Sequence, residues 1–411
     1  MEERWMRQEI FAGIATGLAL VPGLIVIPSI LSRTGMDFAG AYTACVLTSI
    51  IGTLLLALAA RIPMAAVPQV SVAGWLSYVV VISHGHSWQA VLGASFLAAV
   101  LCLLLTVVFR EKDWRCFIPE HLGKVLPLGL GLMLVLIGLR QGHLLVPATT
   151  GFFSVGDLTD PVAYHSLMGI LVTAALFVCR VPGAMLLGML LVAAISLAEG
   201  FWVLPVAPFL QPELEKTAFQ LDVAGALELP ETVISLAILG LVLTQGISLG
   251  LGHSGDRKPA GLLFGTNVVG AFLGAFPLAP APESAVGTGD GGRTGKTALA
   301  AAGVMGVLLF CEPFLAALAS YGAITAPSLV ISGCMLARHI EFIAGGETSR
   351  LLSACALCVL MPITQSVAVG LGMGVVLYVF LTLWEGQWKQ LPTGIWIMAA
   401  MFLLLFLLEA F

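Results

Sequence analysis

Long apolar runs recur from one end of this chain to the other, separated by short breaks that are polar or rich in glycine and proline. Within each run the apolar positions are continuous rather than alternating, which favours helices over strands. A helix needs about 20 such residues to cross a bilayer, and only helices or closed barrels satisfy their backbone hydrogen bonds there. The pattern predicts an all-α polytopic membrane protein.

The breaks divide the chain into about 14 transmembrane segments. A further apolar run at 393–410 is either a fifteenth crossing or a helix lying against the bundle. The predicted spans are 10–31, 39–59, 63–83, 88–109, 118–140, 163–180, 182–199, 232–252, 259–276, 278–292, 297–319, 324–343, 349–363 and 365–384.

Composition and charge agree with a membrane location. The chain is 59% hydrophobic and only 10% charged, whereas soluble proteins are about one quarter charged. If the N-terminus is cytoplasmic, all of the 18 Lys and Arg residues except Arg33, Arg140 and Lys216 lie on the cytoplasmic side, as the positive-inside rule requires. We expect a bacterial-type plasma (inner) membrane protein whose first span is retained, because no cleavable signal peptide is recognisable.

The third and tenth spans differ from the others because prolines interrupt them. Pro63 to Gln69 and Pro277 to Glu283 share the pattern Pro-x-Ala-x-x-Pro-(Gln/Glu), with an offset of 214 residues at each matched position. Each is the third span of a set of seven, and an odd number of spans inverts the second set. Paired broken segments of this kind point to a transporter's binding site near the bilayer midplane. The pattern predicts a seven-plus-seven inverted-repeat transporter fold with two half-helices meeting at the midplane, although coincidental proline kinks are an alternative.

The starts of the two half-helices carry the strongest candidates for chemistry. Free N–H groups and a positive dipole end there attract anionic or carbonyl-bearing ligands. Gln69 and Glu283 occupy matched positions, followed within two residues by Ser71 and Ser284. An acidic residue inside a membrane span is costly and is therefore a functional candidate. Glu283 is expected to accept a ligand N–H or hold a proton, unless it only caps its own half-helix.

Glu312 is a second acidic residue in a long apolar stretch, the eleventh span. It either relays protons or satisfies donors that Pro313 frees. The stretch from Asp290 to Thr297 resembles a phosphate-binding loop, but Asp290 stands where that motif needs glycine. A glycine turn between membrane helices fits it better than nucleotide binding.

Several other functions are disfavoured. Cys355 and Cys358 have a redox or zinc spacing, yet they lie within an apolar helix without a partner and are interpreted as buried structural residues. The chain contains no nucleophile–base pair or complete metal site, so an enzyme, a metal and a cofactor are not expected. The lack of a basic cluster argues against nucleic acid as a partner.

Four short motifs resemble the nucleobase–cation symporter family (the xanthine/uracil permease superfamily), specifically its azaguanine/hypoxanthine-type purine permease branch. The likeness extends over residues 8–384 and is strongest in the second half. The motifs are Glu283-Ser-Ala-Val-Gly287, Gly291-Gly-Arg293-Thr-Gly295, Thr325-Ala-Pro327-Ser-Leu and Met361-Pro-Ile-Thr364.

This resemblance implies a core domain from spans 1–4 and 8–11 and a gate domain from spans 5–7 and 12–14. It also implies a substrate pocket between spans 3, 8 and 10, proton-coupled uptake, a dimer through the gate domains, and Glu283 as the carboxylate that binds the base. The corresponding segments are 1–115 and 232–320 (core), 116–200 and 321–411 (gate), and 201–231 (an external connecting loop).

The sequence departs from the family pattern in two places. In the third span, Ala73 replaces the ligand-facing Asn, and in the eighth span the segment from Thr244 to Gly250 lacks both family aspartates. The proton-coupling candidates are therefore Glu283 and Glu312. The substrate-binding candidates are Glu283, Ser284, Gln69, Ser71, Val72, Ala73, Thr244, Gln245 and Ser248.

The leading hypothesis is a secondary permease that takes up purine-like nucleobases (guanine, hypoxanthine or xanthine) with protons or another cation by alternating access. Transport of an inorganic or organic anion such as sulfate or molybdate is the alternative. Without the two acidic groups, the expected pocket would repel an anion less while keeping two half-helix N-termini. A non-transporting membrane scaffold or receptor is a third possibility. The expected partners are a small-molecule substrate, a coupling ion, the lipid bilayer and a second copy of the chain.

Overall fold

The computed structural model describes residues 2–108, 119–147, 153–179, 181, 184–205, 209–250, 257–336, 347–364, 366–387 and 391–409. The elements of the first repeat are α1 (Glu2–Ser32), α2 (Phe38–Leu55), β1 (Ala66–Pro68), α3 (Val70–Gly74), α4 (Trp88–Val108), α5 (Glu120–Gln141), β2 (Leu145–Pro147), β3 (Phe153–Val155), α6 (Pro161–Val178) and α7 (Ala184–Ala198). Two π-helical segments, Leu56–Ala60 and Trp75–Ser83, extend α2 and α3.

A connecting segment with the single-turn helix α8 (Val223–Ala226) leads into the second repeat. The elements that follow are α9 (Pro230–Gly250), α10 (Arg257–Leu273), β4 (Leu278–Pro280), α11 (Ser284–Gly289), α12 (Gly295–Leu308), α13 (Glu312–Ser320), α14 (Gly322–Leu336), α15 (Thr348–Thr364), α16 (Val367–Trp384) and α17 (Thr393–Glu409).

All fourteen predicted spans contain a helix, and the run at 393–410 forms α17, which packs against α16. Five helices of the described chain are by themselves long and apolar enough to cross a membrane, namely Trp5–Ser32, Phe38–Ala60, Trp88–Val107, Glu120–Gln141 and Pro161–Val178. Seven further apolar helices among the described residues are 10–17 residues long.

The eleventh span differs from the prediction, which treated 297–319 as one continuous helix. Helices α12 and α13 meet at an angle of 82°. Pro313 lies in the first turn of α13, where its missing N–H costs nothing and its fixed φ suits a helix start. The proline therefore begins a new helix here instead of kinking an existing one.

The two broken spans meet as an antiparallel strand pair. Ala66 lies opposite Pro280, and Val67 lies opposite Ala279. Residue 280 follows residue 66 by 214 positions, the offset of the repeat, so the twofold operation that relates the repeats exchanges these two residues. The pseudo-twofold axis therefore passes through the Ala66 and Pro280 pair.

Side chains from the preceding spans satisfy the backbone of these strands. The Ala66 N–H donates to Thr53 Oγ1 at 3.0 Å. Asn267, which lies 214 positions after Thr53, receives the Leu278 N–H at 2.9 Å and donates its own amide to the Leu278 carbonyl at 3.0 Å. Pro280, which corresponds to Ala66, has no N–H to donate. In the second repeat the buried Asn267 side chain therefore bonds to Leu278, two residues before Pro280 along the strand.

The helices pack in two groups. In one group α1, α2, α4, α9, α10 and α12 contact one another, and in the other α14 contacts α5, α6 and α7 while α15 contacts α5 and α16. The first group comes from spans 1, 2, 4, 8, 9 and 11 and the second from spans 5–7 and 12–14, and the expected division into core and gate domains stays a prediction. The residue limits given above for the two domains remain a prediction.

The described part of the connecting segment is tied to the first group of helices. Lys216 Nζ lies 3.0 Å from Asp37 Oδ1, and Thr217 is fully buried against Gly40 and Gly274. Partial burial acts to raise the pKa of Asp37, but hydrogen bonds from Lys216 and the Gly40 N–H outweigh it and lower the pKa. The segment therefore works as a strap across one end of this helix group.

We expect Asn267→Leu to lower the free energy of unfolding by about 1–3 kcal/mol for each strand group left unpaired. Thermal unfolding of the purified protein in detergent measures this loss. The control is Thr266→Val on the same helix, because within the described chain the Thr266 hydroxyl bonds only to the Leu262 carbonyl one turn earlier. Equal unfolding temperatures for the two variants would contradict the role given to Asn267.

Candidate functional site

The strand pair places Gln69 and Glu283 at the starts of α3 and α11. Gln69 Nε2 donates to the Pro280 carbonyl at 3.3 Å, across the pseudo-twofold axis. The Ala281 N–H donates to the Ala65 carbonyl at 2.8 Å and extends the pairing by one residue. The two broken spans are thus held to each other directly beside both predicted ligand residues.

Glu283 does not cap its own half-helix, so that alternative is wrong. Its side chain makes no capping hydrogen bond, and its Oε2 atom is buried without a hydrogen-bond partner in the described part of the chain. Burying a carboxylate without partners is expensive. Among the described residues, neither a cap nor any other hydrogen bond to Oε2 offsets this cost.

The expected free N–H groups at the start of the tenth-span half-helix are absent. The N–H groups of Ser284, Ala285 and Val286 donate to the carbonyls of residues 281, 282 and 283, at 2.9–3.0 Å. Three successive bonds between residues three positions apart, over 281–286, satisfy these donors, and α11 is only six residues long. The main chain here therefore contributes little attraction for an anion.

Ser284 is fully buried, and its hydroxyl accepts the Ala65 N–H at 3.0 Å. This bond ties α11 to the strand segment of the other repeat. Its predicted contact with a substrate stays a prediction.

The third and eighth spans come together in one apolar cluster. Val72 is 4% exposed and Ala73 is 1% exposed, and they share this cluster with Leu243 and Ile247 of α9. Helix α9 also packs against β4. Spans 3, 8 and 10 therefore contact one another, and the substrate pocket expected between them stays a prediction.

The polar candidates on α9 differ in placement. The Thr244 hydroxyl is buried without a hydrogen-bond partner among the described residues, and Ser248 is half-buried. The side chains of Ser71 and Gln245 lie outside the described part of the structure. Thr244 thus joins Glu283 as a second buried polar group whose bonding capacity is unused.

Glu312 lies apart from these residues. It is the first residue of α13, at the sharp bend that replaces the continuous eleventh span. It is half-buried and interacts electrostatically with Asp37 and Glu213. These two residues lie at the end of the bundle that the strap crosses. The expectation that Glu312 lies deep in an unbroken span is wrong, and its part in proton coupling stays a prediction.

Sequence reasoning missed Glu9, which is fully buried in α1. Its carboxylate accepts hydrogen bonds from the N–H groups of Arg293 and Thr294, at 3.1 and 3.3 Å. It also accepts from the hydroxyls of Thr294 and Thr297. The glycine-rich segment that resembles a phosphate loop therefore cradles an internal carboxylate. No signal in the sequence marks it, because Glu9 lies just before the predicted first span, among other charged residues.

Among the described residues, no group of three or more His, Cys, Asp or Glu side chains is arranged to hold a metal ion.

We expect Glu9→Gln to lower the free energy of unfolding by about 2 kcal/mol, since hydrogen bonds to a charged group are worth about 1.5–3 kcal/mol. Thermal unfolding in detergent measures the change. Gln8→Ala is the control, because Gln8 is exposed and donates to the Asp290 carbonyl of the same segment. A Glu9→Gln protein as stable as the control would show that the cradle is not a structural tie.

Sequence comparison gives a consistent result. The permease family Xan_ur_permease matches residues 7–257. The guanine/hypoxanthine permease PbuO of Bacillus subtilis is 30% identical, covering 97% of this chain and 96% of its own length. The putative permease MJ0326 of Methanocaldococcus jannaschii is 30% identical over 98% of this chain and 95% of its own. The adenine permease AdeQ of Escherichia coli is 27% identical, covering 97% of this chain and 92% of its own length.

Solved structures share the fold. SLC26A9 aligns with a TM-score of 0.66 and 14% identity, covering 93% of this chain and 66% of its own. The transmembrane domain of the cyanobacterial bicarbonate transporter BicA aligns with a TM-score of 0.64 and 17% identity, covering 87% of this chain and 96% of its own. These neighbours confirm the seven-plus-seven inverted-repeat fold. With a family match over more than half of its residues and a 30% identical relative along nearly its whole length, the chain belongs to the xanthine/uracil permease family.

Proposed function

We propose that this integral membrane permease transports purine-like nucleobases and that Glu283 binds the base. The proposal rests on the Oε2 atom of Glu283, which is buried and has no hydrogen-bond partner among the described residues. Relatives named as guanine/hypoxanthine and adenine permeases support the substrate class.

The chemistry of a purine edge suits an unpartnered carboxylate. An ionised carboxylate only accepts hydrogen bonds, whereas a protonated one also donates. Guanine offers adjacent ring and exocyclic N–H donors, so an ionised Glu283 can accept from both. Adenine offers a donor beside a ring acceptor and would need the protonated form. The charge state of Glu283 therefore selects between the two bases.

Gln69 supplies the second polar contact. Its Nε2 is held by the Pro280 carbonyl, which fixes the orientation of the amide and leaves Oε1 as an acceptor for the ligand. This amide takes over hydrogen bonding that Ala73 cannot provide. Val72 and Ala73 form the apolar wall on which a flat heterocycle stacks.

Proton coupling centres on Glu283, because the family's eighth-span aspartates are replaced by residues that do not titrate. Thr244 and Ser248 bond to the substrate without exchanging a charge. Uptake into the cytoplasm, a plasma-membrane location with a cytoplasmic N-terminus, and a dimer through the gate domain complete the proposal. The positive-inside distribution of Lys and Arg supports that orientation.

Anion transport is the second candidate, because solved neighbours of the same fold include an anion transporter and a bicarbonate transporter. One observation weighs against it here, because the N–H groups at the start of α11 are already satisfied. In the proposed guanine-binding state, the ionised Glu283 would also repel an anion. The site is better suited to a neutral ligand with N–H donors.

We expect guanine or hypoxanthine to raise the unfolding temperature of the purified protein and Glu283→Gln to abolish this shift. A ligand present at about 100 times its Kd stabilises the folded state by about 2.7 kcal/mol. Glu312→Gln is the matched control, since Glu312 lies at the strap end, and it should keep the shift. Initial uptake rates of labelled guanine into proteoliposomes should follow the same order.

An unchanged purine shift in Glu283→Gln would exclude Glu283 as the ligand carboxylate. Stabilisation by sulfate or molybdate and not by any purine would instead favour the anion carrier. No stabilisation by either class would favour a protein that does not transport.

A further inference from the structure

Gly74, the last residue of the third-span half-helix α3, has free space beside it in the protein interior. Apart from its two chain neighbours and the backbone of its own helix, no heavy atom would lie within 4 Å of a Cβ atom added there. Among the described glycines with this much free space, Gly74 is the one that is buried, and the others are half-buried or exposed. The space at Gly74 is therefore enclosed by the protein.

The usual reasons for a glycine do not apply to Gly74. Its φ of −62° and ψ of −50° are those of an ordinary right-handed helix, so its backbone conformation suits any residue. Other buried glycines of this protein let helices approach closely, as at Gly131, where an added Cβ would lie 2.5 Å from the Gly333 carbonyl oxygen. Glycine within a helix is also less favourable than alanine. What the missing side chain provides at Gly74 is the free space itself.

This space follows on from the proposed ligand contacts at the start of α3. Gly74 comes four positions after Val70, so the two residues share a face of the helix. Gln69 and Val70 are half-buried, which means that accessible space reaches the helix start. At 1.5 Å per residue, Gly74 lies about 7.5 Å farther along the helix than Gln69. The free space thus lies one helical turn beyond the Gln69 amide.

The surroundings of Gly74 are apolar and belong to both helix groups. Val70 and Tyr78, four positions before and after it, pack against a hydrophobic cluster formed by Val26, Ile30 and Leu329. The first two belong to α1 of the first helix group, and Leu329 belongs to α14 of the second. A polar ligand group without a hydrogen-bond partner is costly in such surroundings. The space therefore suits an apolar group at the junction between the helix groups.

We propose that Gly74 determines which bases fit the pocket, and that the space beside it receives a methyl-sized apolar substituent of a purine. A Cβ atom has the size of a methyl carbon, so the absence of close neighbours means that such a group fits. The inference rests on the proposed function and narrows its substrate class to purines that carry one small apolar group in addition to the N–H edge that Glu283 binds.

The position of the substituent follows from the edge that Glu283 uses. The ring N–H and the exocyclic amino group of guanine are the donors for that carboxylate. A methyl group at N7, C8 or N9 leaves both donors intact, whereas methylation of either donor removes a hydrogen bond. The probes are therefore 7-methylguanine, 8-methylguanine and 9-methylguanine, with guanine as the reference.

The first test measures the Kd of guanine and of the three probes by titration of the full-length protein in detergent. Burial of one methyl group tightens binding about fourfold, so we expect at least one probe to bind the wild type about four times more tightly than guanine. In Gly74→Ala the added methyl group occupies the same space. Overpacking of this kind should raise the ratio of the probe Kd to the guanine Kd by about five- to hundredfold.

The matched control for this ratio is Gly303→Ala. Gly303 also has no heavy atom near an added Cβ, but it is exposed on α12. The substitution makes the same change in helix propensity outside the pocket and should keep the wild-type ratio. A rise in the ratio that also occurs in Gly303→Ala would not come from the space at Gly74 and would count against the proposal.

Thermal unfolding without ligand tests the space separately. Gly74→Ala fills free space and favours the helix, so it should unfold at the wild-type temperature or above. Gly131→Ala should unfold at a lower temperature, because its Cβ collides with the Gly333 carbonyl. A Gly74→Ala protein that unfolds at a lower temperature than the wild type would show that the space is not free, and the proposal would be wrong.

The outcomes separate this inference from the proposed function. Guanine binding without tighter binding of any methylguanine, or an unchanged ratio in Gly74→Ala, would overturn the role of Gly74 and leave the proposed function standing. Failure of guanine and all three probes to bind the wild type would refute the purine substrate, and the inference with it.

Discussion

The need to satisfy a peptide backbone inside a membrane determines how this protein is built. Two extended segments, Ala66–Pro68 and Leu278–Pro280, lie within otherwise helical spans, and irregular backbone at this depth persists only when protein groups replace the missing water. Each strand finds partners in the other repeat and in a side chain from the span before it. The inverted repeat is thus what makes the interruption tolerable, because each half completes the hydrogen bonding of the other.

That bonding is nearly complete, and the exceptions are informative. Three buried polar side chains form hydrogen bonds with the backbone of the two extended segments, namely Ser284, Thr53 and Asn267. The Glu283 Oε2 atom and the Thr244 hydroxyl, in contrast, are buried without a hydrogen-bond partner among the described residues. In the proposed function, the substrate binds to these two groups and completes the network.

Much of the fold could be predicted from sequence, because its signals are long and repetitive. Apolar runs of about 20 residues indicated the spans, and the 214-residue offset located the broken ones and their pairing. The bend before Glu312 was missed because an apolar run has the same composition whether or not Pro313 starts a new helix. The satisfied N–H groups of α11 depend on the turn at 281–284, which hydropathy does not report. Glu9 was overlooked because its partners lie more than 280 positions away.

The loss of the eighth-span aspartates is consistent with a transporter once the functions of an acidic residue are separated. Such a residue can hold a ligand, carry a proton, or sense which conformation the protein adopts, and one residue need not do all three. In the proposed function Glu283 binds the ligand, and the Thr244 hydroxyl offers a hydrogen bond without a charge. Removing two carboxylates from the pocket also removes their repulsion of Glu283, which makes its ionised form less costly. A neutral base with N–H donors then gains a stronger acceptor than it would find among three competing carboxylates.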